Sequence, residues 1–142
     1  TSPEEKQSFA SQAVQEIQAA VKLVDKLLVD EEKKKEKNTE AIECLQRKLT
    51  PLKELQSVSE DSARALTTAV ADADAVHADL QYRQVAVALS KSRDFHAEAK
   101  ACVGDAGARA GDQAVTVDDG GAAAEPPLSE TFTVDVPVAS PN

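Results

Sequence analysis

VQEIQAAVKLVDKLL, residues 14–28, decides the fold class. Val14, Ile17, Val21, Val24 and Leu28 recur at alternating spacings of three and four, the narrow apolar stripe of a helix that packs on another helix. Glu16, Lys22, Asp25 and Lys26 fall off that stripe, so the segment is amphipathic. A stripe this narrow needs a partner. Continued by whole heptads, the same phase lands on Ile42, Leu45, Leu49 and Leu52. It therefore predicts one continuous helix through the charged run Asp30–Asn38, with an exposed middle. Asp30/Lys34 and Glu31/Lys35, acid four residues before base, add about 0.2–0.5 kcal/mol each to such a helix. The competing reading makes the run a loop and starts a second helix near Thr39.

Upstream, Ser2-Pro3-Glu4-Glu5 has the form of a helix start: Ser2 caps, Pro3 suits the first helical position, and Glu5 completes a capping box. Downstream, Thr50-Pro51 marks a kink or a fresh start with Thr50 as cap. The turn of the chain is expected at Ser57–Asp61, where Ser57 and Glu60 have capping-box spacing. The returning helix carries Leu66, Val70, Ala73, Leu80, Val85, Leu89, Phe95, Ala99 and Cys102, and Ser90-Lys91-Ser92 is its weakest point. Its alanines, dense from Ala63 to Ala78, favour helix and let a neighbour approach closely.

All five glycines and four of the six prolines lie after residue 103. The chain therefore divides into a helical bundle over 1–103 and an acidic, Gly/Pro-containing tail or stalk over 104–142. The fold class is all-α: an elongated antiparallel hairpin or a three-helix bundle, with an extended and largely irregular C-terminal tail. Within that tail Thr131–Val138 alternates like a strand, with no second strand to pair it. The apolar fraction of 42% overstates the core, because 25 of those residues are Ala.

The net charge is −9, and the tail, with seven acids against Arg109 alone, holds most of it. An acidic chain with no one-sided basic patch argues against nucleic acid and against anionic membrane surfaces. No apolar run approaches the ~20 residues of a transmembrane helix. The chain opens on Thr1, not Met, and reads as a processed or truncated piece, so that any signal or lipid anchor would lie outside it.

Asp72, Asp74, His77 and Asp79 form the one cluster that invites a metal. Asp74-x-x-His77 matches one arm of a di-metal helical site, but such sites need that arm twice and further carboxylates on facing helices. A solvated helix face is the better reading. Cys44 with His77 or His96 lacks the elbow, strand and oxyanion donors of a nucleophile site, and no Gly loop within 1–103 exists to cradle phosphate. The sequence thus indicates no enzyme, no catalytic residues, no metal and no cofactor.

Cys44 and Cys102 are compatible with one disulfide or with two inert thiols. A straight hairpin turning at Ser57–Asp61 puts them on the order of 40 Å apart at ~1.5 Å per residue, whereas a bridge needs Cα atoms within ~7 Å. A further fold-back near Ser90–Ser92 would bring them close. The folded-back, three-helix form is preferred, because two lone cysteines usually pair where the surroundings are oxidising.

The Ala-rich stretch Ala63–Ala78, the phased stripe Val14–Leu52 and the acidic tail after Gly104 together resemble the surface coat proteins of African trypanosomes. These include the glutamic acid/alanine-rich protein and its alanine-rich relatives, which are similar in architecture to the variant surface glycoproteins and the haptoglobin–haemoglobin receptor. The resemblance spans the whole chain and carries over no binding residue. It implies an elongated helical bundle on a lipid-anchored stalk at the cell surface, with a structural coat role or a protein partner or host factor as ligand. The alternative is an intracellular, cytoplasmic coiled-coil adaptor or oligomerisation segment.

Overall fold

The computed structural model describes residues 1–104, and within them the chain is all-α: α1 (Pro3–Lys33), α2 (Thr39–Ala71) and α3 (Ala75–Val103). The predicted tail, including the alternation at 131–138, lies outside the described residues. Residues Thr1–Cys102 form one compact unit. Its helices, of 31, 33 and 29 residues, run about 43–50 Å each at the α-helical rise.

α1 begins as its sequence predicts. Ser2 Oγ accepts from the Glu5 backbone N–H at 3.0 Å, and the Ser2 N–H donates to Glu5 Oε1 at 2.8 Å. Its other end corrects the continuous-helix expectation, for α1 stops at Lys33 and Lys34 is extended. The run Glu32–Glu40 is exposed throughout, so it has no apolar face to pack, and packing supplies most of a helix's stability. Asn38 then caps α2, its side chain accepting from the Ala41 N–H at 3.1 Å. The heptad phase survives the break because each helix independently turns its own stripe toward the other. In place of the expected i,i+4 pairs, Lys34 binds Glu31 at 2.7 Å and Lys26 binds Asp30 at 3.1 Å.

The stripe in α1 is also shifted. Ala10, Ala13, Ile17, Ala20, Val24 and Leu28 are buried, while Val14 and Val21 flank that seam half-buried. Ile17 and Val24 are wholly buried, and the small alanines along the same seam let the helices approach closely.

α2 is one helix with Pro51 inside it, so Thr50-Pro51 is no fresh start, and it continues through Ser57–Asp61 where a turn was expected. Its seam runs Ala41, Leu45, Leu49, Leu52, Ser59, Ser62, Leu66, Ala69. Ser59 is wholly buried and donates its hydroxyl to the Gln56 carbonyl at 2.9 Å. A serine bonded back to its own helix can take a core position, and the seam therefore passes straight through the supposed turn. The same holds in α3, which continues through Ser90–Ser92 where a fold-back was expected. Ser92 is 1% exposed and donates to the Leu89 carbonyl at 2.9 Å. Together with Ala78, Val85 and Ala99 it forms a heptad-spaced seam.

The actual reversal lies at Asp72–Asp74. The Asp74 N–H reaches the Ala69 carbonyl at 2.8 Å and the Ala73 N–H reaches the Val70 carbonyl at 3.1 Å, the paired bonds of a Schellman cap. Ala73 takes the left-handed conformation this demands, at φ 54°.

The bundle is therefore up-down-up. Ser62 meets Gln84, Lys48 meets Glu98 and Cys44 meets Cys102, so each step back along α2 is matched by one step forward along α3. α1 is fastened to α3 by Arg93, whose Nε and a terminal nitrogen grip the Glu16 carboxylate at 2.7 and 2.9 Å. About two turns nearer the start of α1, Phe9 packs edge-on to Tyr82, with ring centroids 5.3 Å apart. Gln18 ties α1 to Glu60 of α2 at 2.9 Å.

Candidate functional site

Two features stand out: the covalent closure at one end and a groove along one side. Cys44 lies in the second turn of α2 and Cys102 at the last turn of α3, and the two form a disulfide with Cα atoms 5.7 Å apart. The reversal at Asp72–Asp74 makes this possible, by a route different from the expected fold-back. With α2 and α3 antiparallel and turning at Asp72–Asp74, the start of one lies against the end of the other. The bridge fastens the ends farthest from that turn.

Asp74 and His77, the pair that invited a metal, have another job. Asp74 Oδ1 accepts the His77 backbone N–H at 3.1 Å, and its second oxygen faces His77 Nδ1. Those bonds, the backbone one first, hold the Asp74 carboxyl below its ordinary range. Asp79 is engaged by Arg83 and, at 3.7 Å, by Lys6. Among the described residues no three His, Cys, Asp or Glu side chains come together as a metal site. His96, on the α1-facing side of α3, is partly buried, and this together with Lys100 lowers its pKa, against the opposing pull of Glu16.

The groove runs between α2 and α3. One stretch, of about 490 Å³, is bordered by Pro51, Leu55, Val58 and Phe95; the next, of about 460 Å³, continues past Leu80 and Val87. The two share Leu55, Val58 and Lys91, so they form one continuous trough. Val58, Leu80 and Val87 are 47%, 47% and 53% exposed, large apolar side chains facing outward on a bundle whose seam lies elsewhere. Acids Glu54, Asp94 and Glu98 border one end, and Arg83 borders the other. Partial burial, and next the neighbouring Glu98, push the Asp94 carboxyl above its ordinary value.

None of this was singled out from sequence, although one signal was present. In α3 the apolar residues follow two phases, Ala78/Val85 and Leu80/Val87, and a single seam can bury only one of them.

Fold and site together define a disulfide-closed, antiparallel three-helix bundle with an open lateral groove. Compared with protein-family models, curated proteins and solved structures, the chain finds no match in any of the three. No described helix is long and apolar enough to cross a membrane.

Proposed function

We propose that the chain is a non-enzymatic helical bundle displayed at a cell surface, serving as a structural coat element or binding a protein partner. The observation that carries this reading is the Cys44–Cys102 bridge. Disulfides persist in oxidising, extracytoplasmic surroundings and are rare where glutathione and thioredoxin keep thiols reduced. Three long helices closed covalently at one end suit a spacer or display role, as the resemblance to trypanosome coat proteins implies. An intracellular coiled-coil adaptor would use the same helices, but in the cytosol it would have to hold without the bridge.

The non-enzymatic part of this reading is supported by the partners of the reactive groups: Asp74 and His77 cap a helix and Glu16 binds Arg93. Labelling intact cells that make the protein with a membrane-impermeant amine reagent tests the display. Exposed lysines at Lys33–Lys37 should be modified without lysis. Modification only after the cells are broken would contradict the proposal.

A further inference from the structure

The α2–α3 groove is built to be covered, and its charge pattern indicates by what. Val58 precedes Ser62 by four residues on α2, and so stands level with Ala88, four residues beyond Gln84 on α3. From that level the groove extends toward Leu80 and Arg83 on one side and toward Asp94 and Phe95 on the other. Arg83 lies about as far from the Val58 level in one direction as Asp94 lies in the other. Asp94 has no cationic partner among the described residues. The guanidinium of Arg83, bound to Asp79 within its own helix, has donors to spare, since arginine carries five N–H groups. The apolar content is also symmetric about Val58, with Leu80 at one end and Pro51 with Phe95 at the other.

We infer that the groove is a self-association face, on which a second copy of the chain packs antiparallel about a two-fold axis near Val58 and Val87, setting Arg83 of each copy against Asp94 of the other. A closed, two-fold contact uses the same patch on both subunits and must be self-complementary. This trough meets that condition: Leu55, Val58 and Val87 make its centre mainly apolar, with Lys91 beside them, and it is basic at the Arg83 end and acidic at the Asp94 end. Packing there would cover Val58, Leu80 and Val87 and set each Asp94 beside a cation. The inference holds whether or not the bundle is displayed at a surface.

Sedimentation velocity of the full chain over a wide concentration range tests it. A reversible monomer–dimer equilibrium is expected. Val87→Glu should raise the dimer dissociation constant by at least about tenfold, the equivalent of one modest interaction. Val87 is more than half exposed, so the helical circular dichroism of that variant should be unchanged. Arg83→Glu and Asp94→Arg should each weaken the dimer separately. An equimolar mixture of those two single variants juxtaposes opposite charges at both ends and should dimerise again. That rescue separates a specific antiparallel pairing from general stickiness. A chain monomeric at every concentration would overturn the inference and leave the groove to another protein's helix. A dimer indifferent to all three substitutions would overturn it equally, by placing the contact on another face.

Discussion

Leu66 and Val87 are both apolar residues within long helices of one bundle, yet one is fully buried and the other is 53% exposed. The inner seam, with Ile17, Leu45, Leu52, Leu66 and Val85, is sealed on every side. The lateral groove, with Leu55, Val58, Leu80 and Val87, is open along its length. Composition does not separate them; helical phase does. The seam stabilises the fold by removing apolar area from water, while the groove contributes little until something covers it. Substitutions should therefore divide sharply between the two regions.

The largest effect is expected in the seam. Leu66→Ala should cost about 2–5 kcal/mol in urea denaturation, the usual range for a buried leucine that leaves a cavity. Next comes the closure. Replacing Cys44 and Cys102 with serine should cost about 2–4 kcal/mol, because the bridge restrains the unfolded chain across a long loop; thermal melts with and without reductant would check it. Ala73→Gly runs the other way. Removing the Cβ from a left-handed residue should raise stability by about 1 kcal/mol. An unchanged melting temperature would mean that Ala73 carries no strain.

Acidification has a direction that can be worked out. Hydrogen bonds from Arg93 hold the Glu16 carboxyl below its ordinary value of 4.5, and those from Gln18 and then Gln56 do the same for Glu60. Their contributions are present above that value and are lost as pH falls through the depressed folded values. Burial lowers His96 from 6.5, so its neutral form favours the fold and stability begins to decline below 6.5. Asp94 is shifted upward and acts in the opposite sense. The melting temperature should decline as pH falls from neutrality, and Glu16→Gln should remove part of the decline in the carboxylate range. The smallest effect belongs to the groove: in dilute solution Val87→Ser should alter stability by no more than about 0.5 kcal/mol. A loss as large as that for Leu66→Ala would erase the distinction between seam and groove.

The same distinction explains what was legible in the sequence. The helix class, the cap at Ser2 and the buried residues Ile17, Val24, Leu28, Leu45, Leu49 and Leu52 follow from apolar periodicity, because those seam positions hold large aliphatic side chains. The loop before Thr39 was legible only as the competing reading, and the second turn did not follow. Ser59, Ser62 and Ser92 occupy seam positions, and a count of apolar residues reads them as gaps. The true reversal at Asp72–Asp74 contains no glycine or proline, so the usual markers of a turn are missing. Ala73 makes the turn through a conformation that its own side chain disfavours. The groove is hidden in the sequence because Leu80 and Ala78 are equally good seam candidates, and only the path of the neighbouring helix decides which of two phases is buried.

The central claim is that the chain reverses at Asp72–Asp74, so that Cys44 and Cys102 meet in one molecule. Peptide mass spectrometry of protein alkylated at harvest and digested without reduction tests it most directly. The account predicts a single cross-linked species joining the Cys44 and Cys102 peptides, recovered from material of monomer mass in denaturant. Two separately alkylated cysteines, or a bridge found only between chains, would contradict it.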